Sequence, residues 1–231
     1  MSKKIVVYSN IERFFHNHLL HFVFFLTISG LPILSHTFDF IAYGAGIPVA
    51  ALTNNQDVLS AGMSFMRFIH YTSAFILTLL SIPFLFLMLR KFAKLSMFPD
   101  TWGLKATIEG TGEMWKFYIK QDHAVFGKMN TGQKFFAQGI VICMAVLTVS
   151  GYVLIFRESF SVEYAAYARG AHAISFVFIG LLLMIHIYLA THPTNKNSYD
   201  AMFKTGEMDE EFIKDHHSIY YEQLKKQGKI K

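Results

Sequence analysis

Four long stretches without Asp, Glu, Lys or Arg divide the chain, and polar segments separate them. Each stretch has 22 to 25 residues. About 20 apolar residues in a helix, rising about 1.5 Å each, cross the hydrocarbon core of a bilayer. We therefore predict an all-α integral membrane protein, a four-helix transmembrane bundle. The predicted spans are Phe14–Phe38, Phe68–Leu89, Phe135–Phe156 and Gly170–His192.

The segments between the spans differ in character. We predict that Asp39–Phe65 is a loop containing glycine and asparagine, either with or without a short helix, and that Arg90–Lys134 is a long polar loop. Within the second loop, Glu113–Lys120 mixes aromatic with charged residues, which is typical of a segment on the membrane surface. We divide the chain into a four-span domain, residues 1–193, and a polar, partly helical tail, residues 194–231.

The basic residues predict the orientation of the spans. Of the 21 Lys and Arg residues, 18 fall in the N-terminus, the loop between spans two and three, and the tail. By the positive-inside rule, both termini face the cytoplasm. A net charge of +5 does not indicate nucleic-acid binding here, because the basic residues adjoin apolar runs. The single Cys143 excludes an intrachain disulfide and a cysteine-ligated iron–sulfur cluster.

Two histidines in the fourth span are the main candidates for chemistry. His172 and His186 are 14 residues apart. At about 100° and 1.5 Å per residue they lie within roughly 40° of one helix face and about 21 Å apart. Histidine within a span is costly and indicates function. Two on one stripe predict two stacked cofactors.

Depth in the membrane predicts the partners of these histidines. His70 lies near the outer start of the second span, and His16 lies at the inner start of the first. The sequence therefore pairs His70 with His172 outside, and His16 with His186 inside. Each pair fits the two axial positions of one haem b iron, an arrangement that suits electron transfer.

The inner site has competing candidates, His18 and His21. Gly30 follows His16 by 14 residues, so it shares the face of His16 but lies about 120° from His18 and about 180° from His21. A glycine facing the interior leaves room for a porphyrin, which favours His16. We expect the remaining histidines to be interfacial or hydrogen-bonded side chains: His18, His21, His36 and His192.

A short internal repeat precedes two of the spans. Arg13-Phe14-Phe15-His16 is followed by Ser29-Gly30, and Lys134-Phe135-Phe136-Ala137 is followed by Ser150-Gly151, with 16 residues from the basic residue to the serine in both cases. Both copies open a span that runs outward. The repeat marks either two duplicated helix pairs or a chance match of a few residues.

The polar run before the third span contains candidate quinone contacts. Asn130, Gln133 and the backbone at Gly132 offer hydrogen-bond donors at the predicted depth of His186. The alternative is an ordinary turn with Asn130 or Thr131 as helix N-cap, and the sequence leaves both open. In the tail, His216-His217 has no third histidine or cysteine spaced as a metal ligand.

Taken together, these features resemble the cytochrome b (gamma) subunit of membrane-bound respiratory formate dehydrogenase, and the related b-type cytochrome of uptake nickel–iron hydrogenases. The loop and the tail favour the formate dehydrogenase subunit. The motifs that carry the resemblance are Arg13-x-x-His16 with Ser29-Gly30; His70, His172 and His186; Gly127-Lys-x-Asn-x-Gly-Gln-Lys134; and Ala201-Met202-x-x-x-Gly206 with His216-His217-x-x-Tyr220-Tyr221.

The resemblance implies a subunit of the bacterial cytoplasmic membrane with two haems b. An iron–sulfur (beta) subunit outside would pass electrons to the outer haem, and a quinone, menaquinone or ubiquinone, would be reduced beside the inner one. His186 would also touch the quinone. Formate oxidation would belong to a catalytic molybdenum or tungsten (alpha) subunit, so this chain holds no catalytic residue of its own. Such complexes often assemble as trimers of heterotrimers.

The chain departs from this pattern at a few positions, and other functions compete. Asn17 stands where the family has Trp, Phe212 and Tyr220 also replace Trp, and Ser218 replaces Pro. The hydrogenase cytochrome b is therefore the nearest alternative. A transporter predicts acidic residues within the spans, and none is present. A cofactor-free anchor does not require two histidines on one face.

Overall fold

The computed structural model describes residues 3–90, 103–120, 122 and 125–230. Helices dominate this part of the chain, and four of them are long and apolar enough to cross a membrane. The predicted all-α fold with four spans is confirmed. The four helices are α1 (Asn10–Leu34), α3 (Val58–Arg90), α5 (Thr131–Ile155) and α6 (Val162–Thr191), the loop helix α2 being described below.

The helices extend beyond the uncharged stretches that predicted them. Helix α6 begins at Val162, eight residues before Gly170, because the side chain of Ser161 caps it by accepting a hydrogen bond from the Tyr164 N–H at 3.4 Å. Its first turns therefore include Glu163 and Arg169. Ending a predicted span at the first charged residue identifies only the membrane-embedded part of the helix. The helical backbone itself continues until a capping residue ends it.

The segment predicted as a loop after the first span is mostly helical, which corrects the prediction for Asp39–Phe65. It forms α2 (Asp39–Thr53), and α3 begins soon afterwards at Val58. Two glycines and Pro48, residues that disfavour a helix, lie within α2. Glycine weakens a helix by about 1 kcal/mol relative to alanine, but packing against a neighbour can override this preference.

The described residues fall into two compact units, and the first is Phe14–Arg90. In it α2 packs against α3 with almost no space between the backbones. A Cβ atom at Gly62 would lie 1.8 Å from the Ala42 carbonyl oxygen, and one at Gly46 would lie 2.0 Å from the Val58 carbonyl oxygen. Small residues at a helix interface permit such an approach within membranes. The two glycines are therefore required by the α2–α3 contact.

Substituting Gly62 with valine is expected to destabilise the protein by about 1–3 kcal/mol, the usual cost of overpacking, or to prevent α2 from docking. The backbone carbonyl of Ala42 blocks the new side chain and cannot rotate away. Thermal unfolding in detergent measures the effect. Gly44→Ala is the matched control, because a Cβ at Gly44 meets nothing within 4 Å. Equal stability of the two variants would contradict this packing.

The second unit contains the chain up to Arg13 and the described residues from Gly103 onward. Helices α5 and α6 form its hairpin. The predicted polar loop Arg90–Lys134 contains a further helix, α4 (Leu104–Tyr118), which corrects that prediction in part; residues 91–102 lie outside the described part. Most of the Glu113–Lys120 stretch is thus the end of a helix, and its place at the membrane surface stays a prediction.

The tail is more ordered than its polar composition suggests. It contains α7 (Lys196–Asp200), β2 (Glu207–Asp209), α8 (Glu210–His216) and α9 (Ser218–Lys226). The basic lead-in supplies β1 (Lys4–Val6), which pairs antiparallel with β2. Arg13 donates hydrogen bonds to the carbonyls of Met202 and Lys204. The buried apolar side chains of this assembly are Ile5, Val7, Ala201, Met208, Ile213, Leu224 and Ile230.

Candidate haem sites

The two histidines of the fourth span both contact α5. His172 Nδ1 lies 3.0 Å from Ser150 Oγ, and the His186 ring stacks on Phe136 with centroids 4.3 Å apart and an interplanar angle of 9°. The two contact residues on α5 are 14 positions apart, as are the two histidines. Both imidazoles therefore lie on the side of α6 that packs against α5, at two depths, as their spacing predicts.

The first unit contains a histidine in the same arrangement. His70 Nδ1 on α3 lies 3.1 Å from Ser29 Oγ on α1. Ser29 is buried, as is Ser150 in the other unit. His70 and His172, the predicted outer ligands, are thus each held by a buried serine within their own unit.

A glycine follows each of these serines and lies against the same histidine. A Cβ at Gly30 would lie 3.1 Å from His70 Cε1, and a Cβ at Gly151 would lie 3.3 Å from His172 Cε1. Gly30 therefore makes space for the His70 imidazole, whereas its predicted role was to make room for a porphyrin on the face of His16. The repeated Ser-Gly pair was visible in the sequence, but its histidine partners were not.

The candidates for the inner site differ in exposure. His16 is half-buried, whereas His18 and His21 are exposed. In the exposed pair, Nδ1 donates to the carbonyl of the residue four positions earlier, Phe14 or Asn17, at 2.8 and 2.7 Å. The lower exposure of His16 favours it over its two competitors.

The prediction that the other histidines are hydrogen-bonded is also confirmed at the two remaining positions. His36 Nδ1 lies 3.0 Å from Asp39 Oδ2. His192 Nδ1 is hydrogen-bonded to Thr194 Oγ1 just beyond the end of α6. Both side chains therefore serve local turns at the ends of helices.

The polar run before α5 forms a helix cap. Asn130 Oδ1 accepts from the Gln133 N–H at 2.8 Å, and Gln133 Oε1 accepts from the Asn130 N–H at 2.9 Å, so the two residues form a capping box. The Gly132 N–H points at the sulfur of Met114 at 2.9 Å. The cap uses the side-chain oxygens and leaves Asn130 Nδ2, which lies 3.4 Å from the Tyr118 hydroxyl.

The tail histidines line a narrow cleft together with Asn130 and Gln133. His216 stacks on Phe212 with centroids 4.3 Å apart. His217 Nδ1 donates to the Gly127 carbonyl at 2.8 Å. Burial lowers the pKa of His217, so this side chain is neutral at pH 7. No partner for these two histidines is apparent from the sequence, whereas in the structure they lie beside the predicted quinone loop.

The side chains present fit a haem iron. A ligating imidazole binds through one nitrogen while its other nitrogen is held by an acceptor. His70 and His172 are half-buried and have Nδ1 within hydrogen-bond distance of a serine hydroxyl. An imidazole held through Nδ1 in this way would bind a metal through Nε2. His16 and His186 are likewise half-buried on transmembrane helices. This donor set is all imidazole, as bis-histidine haem requires.

Comparison with known families agrees with this chemistry. The model of the family described as prokaryotic cytochrome b561 matches residues 7–205 of the chain. The match includes all four candidate spans. No curated protein matches the sequence significantly. The chain belongs to the prokaryotic cytochrome b561 family and is an integral membrane electron-transfer protein with haem b as its cofactor.

Proposed function

We propose that this chain is the cytochrome b subunit of a membrane-bound formate dehydrogenase, which passes electrons across the bacterial cytoplasmic membrane to a quinone. The observation that carries the proposal is the pair His172 and His186, which contact α5 at two depths about 21 Å apart along α6. Two haems b at these depths would supply one-electron carriers near both membrane surfaces.

The proposed ligand pairs follow the order of depth. His70 and His172 would hold the outer iron, and His16 and His186 would hold the inner one. The predicted orientation places the inner pair near the cytoplasm, where protons for quinone reduction are available. Phe136, stacked on His186, is an apolar neighbour that excludes water from one face of that imidazole.

The quinone is proposed to bind near the start of α5. The Asn130 amide nitrogen and the Tyr118 hydroxyl are polar groups left by the helix cap, and the side chain of Gln133 lines the same cleft. The Asn195 amide also points at the Tyr118 hydroxyl, at 3.5 Å. His186 is proposed to contact the same quinone from α6. These groups would hydrogen-bond the carbonyl oxygens of the quinone ring.

The preference for a formate dehydrogenase partner over a hydrogenase comes from the resemblance of the tail signatures to that subunit. The Ala201–Gly206 signature is a structured turn in which Ala201 is fully buried and Gly206 has φ of 80°, a left-handed conformation that favours glycine. The aromatic side chains of Phe212 and Tyr220, which replace the tryptophans of the pattern, pack against the tail core. The signature residues therefore build one folded element in this chain.

The partner can be identified by which substrate reduces the haems. The complex is purified from native membranes with mild detergent, and the haem spectrum is followed after addition of formate or of hydrogen. We expect formate to reduce the haems and hydrogen to leave them oxidised. Reduction by hydrogen alone would assign the chain to a nickel–iron hydrogenase. An absence of haem from the purified chain would leave the anchor or transporter alternatives.

Substitutions of Asn130 distinguish its role as the helix cap of α5 from its proposed role in binding quinone. Asn130→Asp keeps the side-chain oxygen that caps α5 but loses the amide donor, whereas Asn130→Ala loses both and costs about 1 kcal/mol of stability. We expect both variants to slow quinone reduction while both haems stay reducible by the partner, with Gln133→Ala behaving similarly. Steady-state quinone reduction is measured beside haem content. Normal turnover in Asn130→Asp would restrict Asn130 to capping, and loss of haem from these variants would make the loop structural.

A further inference from the structure

We propose that Ser29 and Ser150 are positioning residues that fix His70 and His172 in one tautomer, with Nδ1 protonated and Nε2 directed to iron. This inference rests on the proposed haem-binding role of the two histidines. It gives a role to two residues, one in each unit of the chain. Ser29 belongs to a motif that carries the resemblance, but neither the resemblance nor the family match assigns a role to either serine.

The direction of the serine hydrogen bonds determines the tautomer. Ser29 Oγ donates to the Phe25 carbonyl at 2.6 Å, and Ser150 Oγ donates to the Val146 carbonyl at 2.5 Å. A carbonyl only accepts, so the single hydroxyl hydrogen of each serine is used on its own helix. The oxygen is then an acceptor toward histidine, and the hydrogen between Oγ and Nδ1 must come from the imidazole.

Each serine hydroxyl also lies near a second carbonyl of its own helix. Ser29 Oγ is 3.4 Å from the Leu26 carbonyl oxygen, and Ser150 Oγ is 3.3 Å from the Leu147 carbonyl oxygen. Both contacts direct the hydroxyl hydrogen away from histidine. Neutral imidazole has one N–H, and the other nitrogen keeps its lone pair. With Nδ1 as the donor, Nε2 would be the atom that ligates the iron.

The same construction occurs twice, which argues against a chance contact. The two serines occupy equivalent positions in the sequence repeat, and a glycine follows each of them. A Cβ atom added to either glycine would press against the Cε1 atom of the histidine. The spacing from serine to histidine is 41 residues in one copy and 22 in the other. Helix α2, which has 15 residues, lies within the longer connection and accounts for most of the difference.

The repeat also continues beyond the histidines. His70 is followed three residues later by Ser73, and His172 is followed three residues later by Ser175. Both of these serines are buried, with exposed fractions of 8%. Each unit therefore contains the same arrangement of serine, glycine and histidine on a pair of helices, and the two histidines should be equivalent as ligands.

The hydrogen bond has a predictable effect on the iron. Donation from Nδ1–H to an acceptor raises the basicity of the ligating nitrogen, which favours ferric over ferrous iron. Removing the acceptor should weaken this preference by three- to tenfold. For a one-electron couple that corresponds to a rise in midpoint potential of about 30–60 mV. Under the proposed pairing of His70 with His172, both variants should shift the potential of the same haem.

The test uses Ser29→Ala, Ser150→Ala and the double variant in the purified complex. Haem content is measured by pyridine haemochrome, the potentials by redox titration, and the ligand field by electron paramagnetic resonance of the ferric form. We expect each single variant to raise the potential of the same one of two haems and the double variant to raise it further. Ser81→Ala is the matched control, because Ser81 Oγ also donates to a carbonyl of its own helix, that of Leu77 at 2.7 Å, about three turns from His70.

The threonine variants distinguish the effect of removing the serine hydroxyl from the effect of disturbing the fold. Ser29→Thr and Ser150→Thr keep the hydroxyl, so they should hold haem at the wild-type potential even where the alanine variants lose it. Unchanged potentials and spectra in all alanine variants, in a protein whose wild type holds two haems, would overturn the inference and leave the proposed function intact. Shifts of different haems in the two single variants would also overturn it. A wild type without haem would instead refute the proposed function.

Discussion

Replacing His172 with alanine is expected to remove one of two haems from each chain while the four spans remain inserted. The imidazole is the predicted axial ligand of the outer iron, and a methyl group cannot replace it. Haem per chain, measured by pyridine haemochrome against protein concentration, should fall by about half relative to the wild type. The remaining haem should be the one with His16 and His186 as ligands.

The matched control for this variant is His192→Ala, just beyond the C-terminal end of the same helix. His192 bonds to Thr194 and serves the turn after α6, so its loss should leave both haems in place. His70→Ala should reproduce the loss seen in His172→Ala, because the two are assigned to one iron. Two haems remaining in the His172 variant would refute the pairing by depth.

Replacing His186 with alanine is expected to remove the other haem and to stop quinone reduction. His186 is the proposed inner ligand and the proposed contact of the quinone, so both functions should be lost together. The outer haem should stay reducible by the partner subunit. Haem content, single-turnover reduction by formate and steady-state quinone reduction measure the three effects separately.

His16→Ala should remove the same haem as His186→Ala, and this comparison tests the choice among the first-span histidines. His18→Ala and His21→Ala are close controls on the same helix, both exposed and both bonded to a backbone carbonyl. We expect them to keep two haems. Loss of the inner haem from His18→Ala or His21→Ala, with His16→Ala unaffected, would move the ligand to that position.

The membrane-embedded part of the fold was predictable because span length and lack of charge reflect the thickness and polarity of the bilayer. The same criterion failed for α2, in which Gly46 and Pro48 suggest a loop. Gly46 is explained by a tertiary contact, because it allows α2 to approach the Val58 carbonyl on α3. A single sequence does not show which glycines break a helix and which allow one helix to touch another.

The packing of the tail could not be predicted, because its contacts join residues at opposite ends of the chain. Arg13 reaches the Met202 carbonyl across 189 positions, and Lys4 pairs with Asp209 in the small sheet. Strands of three residues leave no detectable periodicity. Net polarity described the surface of the tail correctly but not its buried core.

The candidate site was predictable at its histidines but not at the residues that hold them. Spacing by 14 residues placed His172 and His186 on one face, and both contact α5. The serines were visible only as part of a repeat, since a hydroxyl bonded to its own helix has no sequence signature of a second partner. At Asn130 and Gln133, in contrast, the local sequence pattern for a helix cap predicts the contact that the structure forms.

The central claim, a membrane cytochrome with two bis-histidine haems b, is tested most directly by reduced-minus-oxidised spectra of the purified chain. Dithionite-reduced minus oxidised spectra should show low-spin haem b, and quantification should give two haems per chain. No haem in protein produced with an adequate haem supply would contradict the account. A single haem would contradict the assignment of two pairs of ligands to His16, His70, His172 and His186.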